Sequence, residues 1–191
     1  MEYRLASTAV APAAVEDCRC ALAWLLRNAA DYGVSTERVV ISGISAGGHL
    51  ALATAGLSAS DETECRVPAG FKPAAVINWY GPSDLLELAF GDDAFDQAVE
   101  WISGQKEIAR SVSPLHHVTA SAPPVLTIHG TADDVIPYSQ SVRLHKALSN
   151  AGVANRLLTI EGAHHGDSTA GQIARAYDAV RSFLRPHVAP R

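Results

Sequence analysis

The sequence predicts an α/β fold: a mainly parallel sheet covered on both faces by helices. Three observations carry this reading. Strand-like and helix-like runs alternate along most of the chain. The strand-like runs are apolar throughout rather than at every second position, as strands buried on both faces are. The chain has 191 residues, 48% of them apolar, which suffices for one domain with a sizeable core but not for two comfortable ones.

The elements follow in order. Val15, Cys18, Leu22, Leu25, Leu26 and Ala29 recur at helical spacing. Pro12 suits a first turn and Gly33 a C-terminal stop, so a helix is expected over 12–32. "RVVIS" (38–42) reads as a buried strand. The Ala-, Gly- and Leu-rich stretch 46–57 reads as a tightly packed helix. "AAVINWY" (74–80) and "PVLTIH" (124–129) are the second and third strands. A helix over 139–152 ends at a glycine, and "NRLLTIE" (155–161) is the fourth strand. A terminal helix over 168–187 is expected to stop near Pro186. Between 85 and 113 the pattern weakens, with one short helix at 92–102; this segment reads as an insertion over one end of the sheet.

Bulk properties exclude several functions. A net charge of −5 leaves no basic face for a phosphate backbone, so no nucleic acid is expected as a partner. No run of 18 apolar residues occurs, so no membrane span is expected. The N-terminus lacks a basic start followed by an apolar core; no signal peptide is read in it and the cytoplasm is the default compartment. Three cysteines, Cys18, Cys20 and Cys65, form no disulfide framework by count and read as small buried side chains. No histidine spacing resembles a tetrahedral metal site.

The chemistry centres on "GISAG" (43–47). Ser45 sits between a strand-like and a helix-like segment, the setting of a nucleophile elbow. Small residues at 43 and 47 permit a sharp turn and close helix–strand approach. A serine hydroxyl needs a general base and an acid to orient that base. Two later loops supply candidates in the order Ser, acid, His. "HGTADDVIP" follows the third strand and holds Asp133 and Asp134; "EGAHHGD" follows the fourth and holds His164 and His165. Chemistry alone does not separate the members of either doublet. The backbone N–H of Ala46, next after the serine, is one expected oxyanion donor. His129, at the end of its strand, is read as bracing the acid loop. His49 is read as packing or hydrogen-bonding, while His145 and His187 are placed on helical surfaces.

Several stretches together resemble the serine esterases of the α/β-hydrolase superfamily, nearest to the acetyl-xylan/feruloyl-esterase-like and hormone-sensitive-lipase-like branches. They are "YRLA", "PAAVEDCRCALAWL", "YGVSTERVVISGISAGGHLA", "YGPSDL", "SPLHHVTASAPPVLTIHGTADDVIPYSQS" and "EGAHHG", and they run through nearly the whole chain. The resemblance implies an α/β-hydrolase fold with Ser45 as nucleophile, Asp133 rather than Asp134 as acid, and His165 rather than His164 as base. It also implies small or short-acyl esters as substrates, with no cofactor. Tyr80 and Trp101, with Phe90 and Phe95, are read as walls of the substrate site; a plain core role is the competing reading. A peptidase or amidase of the same superfamily, or a catalytically impaired remnant, are the alternative functions.

Similar enzymes carry further strands and a His-Gly-Gly oxyanion loop before "YRLA", and no "HGG" occurs in this chain. The sequence is therefore expected to be N-terminally truncated relative to that fold, with one oxyanion donor fewer. Residues 38–42 are then expected to form an exposed apolar sheet edge that invites pairing with a second chain, as in a homodimer.

Overall fold

The computed structural model describes residues 2–56, 65–92 and 94–188. Its elements are α1 (Ala13–Asn28), β1 (Val40–Ile44), α2 (Ala46–Gly56), β2 (Ala75–Trp79), α3 (Leu85–Phe90), α4 (Asp96–Trp101), α5 (Lys106–Val112), β3 (Val125–Gly130), α6 (Ser139–Asn150), β4 (Asn155–Ile160) and α7 (Ala170–Val188). The four strands pair in the order β1-β2-β3-β4, all parallel. Each connection therefore crosses from the C-terminal edge of the sheet back to its start.

Strand side chains alternate between two helical layers. Val76 and Val125 pack with Ala51 and Leu52 of α2 and Leu144 and Leu148 of α6. Ile77, Leu126, Ile128 and Leu158 pack on the opposite face with Ala176 and Ala179 of α7. Both faces of β2 and β3 are thus dry, which is why their sequences are apolar throughout. Helix α1 joins this body through Ala14 and Val15 against Leu50 and Ala53 of α2.

A third cluster stands apart from the sheet. Leu85, Leu88, Ala98, Ile102, Ala109 and Val112 of the 85–113 segment gather around Ile136. Buried Gln140 of α6 anchors this layer. Its Oε1 accepts from the N–H groups of Ser83 and Asp84 at 3.0 and 2.8 Å, and its Nε2 donates to the Asp84 carbonyl at 3.1 Å. Asp84 caps α3, its carboxylate accepting from the N–H groups of Leu86 and Glu87.

Several expectations are corrected. The first strand begins two residues later than read, because Thr36–Arg38 form a 3₁₀ turn; Gly43 and Ile44 belong to the strand. Helix α1 ends at Asn28 and a 3₁₀ turn, Ala29–Tyr32, carries the chain to Gly33, whose φ of 64° makes it the left-handed cap. The 85–113 segment holds three short helices rather than one. Helix α7 continues through Pro186 to Val188, since a proline in a last turn forfeits only one hydrogen bond. His145 is buried, not on a surface, with Nδ1 2.8 Å from Asn155 Oδ1. Cys20 and Cys65 form a disulfide, 45 residues apart in sequence, and Cys18 alone is free among the described residues. Residue 57 of the expected helix 46–57, and residue 93 of the one at 92–102, lie outside the described residues.

Strand β1 pairs only with β2 among the described residues. Ile44 at its end is 58% exposed. Grooves of about 410 and 700 Å³ flank the strand, one toward α1 and α2, the other toward α7.

Candidate active site

Every strand ends at the same edge of the sheet, and each end delivers one side chain to the site. Ser45 follows β1 directly. Its φ is 52°, in the left-handed region that a non-glycine residue enters at a cost of about 1–3 kcal/mol. Its N–H donates to the Trp79 carbonyl at 2.8 Å, which ties the turn to β2. Helix α2 starts at the next residue, Ala46. The N–H groups of a first helical turn have no carbonyl four residues back, so that of Ala46 is available to an anion above Ser45.

Close backbone contact makes the turn possible. A Cβ on Gly43 would stand 2.0 Å from the Gly47 carbonyl oxygen. Gly48 and Gly81 make a second such contact, each with room for no Cβ beside Asn78 Oδ1. Buried Asn78 is held there by the Gly81 N–H, which donates to Oδ1 at 2.9 Å. Gly47 itself has open space where a Cβ would go, so the tight approach rests on Gly43 and not on both glycines.

Ser45 Oγ lies 2.8 Å from His165 Nε2. His165 Nδ1 lies 2.8 and 3.0 Å from the two carboxylate oxygens of Asp133. An ionised carboxylate only accepts, so Nδ1 carries the proton and donates. Nε2 then presents its lone pair, and the Ser45 hydroxyl donates to it. Asp133 Oδ1 also accepts from the N–H groups of Val135 and Ile136 at 3.0 and 2.8 Å. The structure also distinguishes the doublets. The Asp133 side chain is 1% exposed and that of His165 18%, whereas Asp134 is 71% and His164 59% exposed. Asp134 and His164 face one another across 3.9 Å, outside the line of hydrogen bonds.

Tyr80 packs edge-on against His165, ring centres 4.8 Å apart, and borders the groove toward α7. Burial and the Asp133 charge push its phenol up. Trp101 lies on the other side of Ser45. With Ala46, His49, Leu88 and Phe95 it encloses a cavity of about 150 Å³ opening beside Ser45. Trp101 meets His49 edge to face at 5.3 Å. Phe90 is exposed and lies under Lys106, away from this cavity. Leu88 and Asn78 shape the site without any motif that marked them; His49, read as packing or hydrogen-bonding, does both, with Nδ1 3.2 Å from the Pro82 carbonyl oxygen.

Three buried imidazoles carry a consequence for stability. Burial pushes His49 down to about 4 and lowers His129 and His145 from the ordinary value. The unfolded chain takes protons on these rings near pH 6.5, and the folded chain only at lower pH. Stability is then complete above about pH 6.5 and is lost as pH falls toward the folded values. Urea unfolding at about pH 7 and about pH 5 is expected to show the lower midpoint at pH 5. An equal or higher midpoint there would count against neutral buried rings.

A parallel sheet with a strained serine at the end of a strand, opening a helix, and with acid and base on the two following strand loops, is the arrangement of an α/β-hydrolase. The chain belongs to the BD-FAE family, whose model matches residues 1–148. It is 34% identical over 179 residues to esterase LipC of Mycobacterium tuberculosis, covering 87% of this chain and 44% of that protein. It is 32% identical over 187 residues to esterase LipQ of the same organism, covering 91% and 44%. The chain thus spans less than half the length of these relatives. Among solved structures it resembles esterase Est2 from the Planctomycetes species Thermogutta terrifontis. With propionate bound, that protein gives a TM-score of 0.80 at 28% identity, over all of this chain and 72% of the other. With butyrate bound, the score is 0.82 at 27% identity and the same coverage. Among the described residues no helix is long and apolar enough to cross a membrane.

Proposed function

We propose that this chain hydrolyses carboxylic esters through an acyl-enzyme on Ser45. The observation that carries the proposal is the unbroken line of hydrogen bonds from Ser45 Oγ through His165 to buried Asp133. His165 takes the Ser45 proton as the oxygen attacks the ester carbonyl. Asp133 holds the ring and balances its charge once it is protonated. The Ala46 N–H donates to the oxyanion, aided by the N-terminus of α2. Protonated His165 gives its proton to the departing alcohol, and water repeats the sequence on the acyl group. No step calls for a cofactor. A fluorophosphonate probe is expected to label Ser45, and p-nitrophenyl acetate to be hydrolysed faster than the matching anilide. An unlabelled Ser45 would sink the proposal; a faster anilide would favour an amidase.

The substrate we propose is an ester of a short acyl group, up to about butyryl in size. The cavity beside Ser45 is about half the volume at which drug-sized ligand sites begin. The short carboxylates bound by Est2 agree with this size. Trp101 forms part of the cavity wall. Trp101→Leu is expected to raise kcat/KM for p-nitrophenyl hexanoate relative to the acetate by about 10-fold. An unchanged ratio would place the acyl chain elsewhere.

A further inference from the structure

The acid of the site is held by two imidazoles, and the proposal above uses only one of them. His129 is the penultimate residue of β3, and its side chain is fully buried. Its Nε2 stands 3.1 Å from Asp133 Oδ2 and 3.0 Å from the Ile136 carbonyl oxygen. Both are acceptors only, so Nε2 carries a proton and shares it between them. On the other side of the ring, Nδ1 is 2.6 Å from Ser141 Oγ in the first turn of α6. With Nε2 protonated and the ring neutral, Nδ1 accepts from the Ser141 hydroxyl. Every polar atom of the ring has a partner and only one tautomer fits.

We propose that His129 is a positioning residue for Asp133: its Nε2–H holds the carboxylate aimed at His165 Nδ1. Asp133 is almost wholly buried, and a buried charge is tolerated only where donors surround it. Val135 and Ile136 serve Oδ1, His165 reaches both oxygens and is nearer Oδ2, and His129 serves Oδ2 alone. In the proposed reaction the His165 ring takes and gives a proton. His129 takes no part in that transfer, and Ser141, Ile136 and the edge-on ring of Tyr138 at 5.6 Å hold it in place. The held ring therefore defines where the carboxylate stands while His165 exchanges its proton. The titratable groups around it are Asp133, His165 and Tyr138, with Tyr80 beyond Asp133. Burial lowers the pKa of His129 itself, which favours the neutral ring.

The consequence has a sign. Without the Nε2–H bond, the Asp133 charge is less dispersed and holds the imidazolium of His165 more tightly. His165 then keeps its proton to higher pH, and the neutral base is lost sooner on acidification.

The inference rests on the Ser45–His165–Asp133 reading and is tested beside it. His129→Leu, similar in size but without a donor, is expected to lower kcat for p-nitrophenyl acetate by about 10-fold with little change in KM. The acid limb of its kcat/KM profile is expected to move up by about half a pH unit to one unit. His129→Gln places an amide N–H near the position of Nε2 and is expected to restore the parent profile. A folded Leu variant with the parent kcat and acid limb would overturn the proposal and leave a packing role. If the Leu variant does not fold, ring-¹⁵N NMR of the unaltered chain decides. Proton on Nε2 of His129 at neutral pH is the expected result, and proton on Nδ1 overturns it. That measurement needs no turnover, so an inactive chain would fail the catalytic reading without touching this one.

Discussion

Ser45→Ala is expected to lower hydrolysis of p-nitrophenyl acetate by about 10⁴-fold or more and to abolish fluorophosphonate labelling. The proposal assigns the acyl-enzyme to this hydroxyl, which lies 2.8 Å from His165 Nε2. What survives the substitution is the Ala46 N–H and the cavity. In the proposed mechanism these bind and polarise the ester, and attack is left to water with no serine to deliver it. The fold is expected to persist, because Ser45 is only partly buried and its backbone bond to Trp79 remains. A melting temperature within about 2 °C of the parent would show this. Retained turnover in a pure, folded variant would mean that another nucleophile does the chemistry.

Gly43→Ala is expected to be the most damaging conservative change to the elbow. The new methyl would meet the Gly47 carbonyl oxygen at 2.0 Å, its carbon at 2.2 Å and the Gly48 nitrogen at 2.8 Å. All three are backbone atoms, so no side chain can rotate away. Helix α2 must move back from β1 by more than 1 Å, taking Ser45 and the Ala46 N–H with it. A cost of about 3 kcal/mol is expected, read as a melting temperature lower by about 6–12 °C. A displacement of that size costs turnover a further factor of about 10². Gly47→Ala is the matched control. It has open space, and alanine favours a helix over glycine by roughly 0.5–1 kcal/mol, so its melting temperature is expected to hold or rise. Equal melting of the two variants would show that the strand–helix contact is looser than described.

The sequence carried the order and type of the main elements, because apolar runs and helical periodicity are written locally. It also carried the order Ser45, Asp133, His165, since each lies just after a legible strand. Within each doublet residue chemistry held no difference and only the family resemblance chose between the members; in the structure Asp133 is buried and Asp134 exposed, a property of the folded loop. Helices α3 and α5 were hidden because they have only six and seven residues, too few for a period to register, whereas α4 lies inside the helix read at 92–102. The Cys20–Cys65 disulfide was hidden because its partners are distant in the chain and only packing brings them together. Gln140 and Asn78 were hidden for a similar reason, as buried polar residues whose partners are mostly backbone atoms of other segments. Gly47 was credited with a contact that only Gly43 makes, because a motif does not say which way a missing Cβ points.

The layer formed by α3, α4 and α5 gives the fold a division of labour. Ser45 is fixed by glycines pressed backbone to backbone, while the cavity beside it is bounded largely by side chains such as Leu88, Phe95 and Trp101. Those side chains belong to a hydrophobic cluster distinct from the two that sandwich the sheet, joined to α6 through Gln140. Changes in the cavity wall therefore need not disturb the attacking oxygen. Under the proposed chemistry, such a scaffold can diversify the acids it releases by exchanging a few apolar residues on one layer while the strand–helix turn stays as it is.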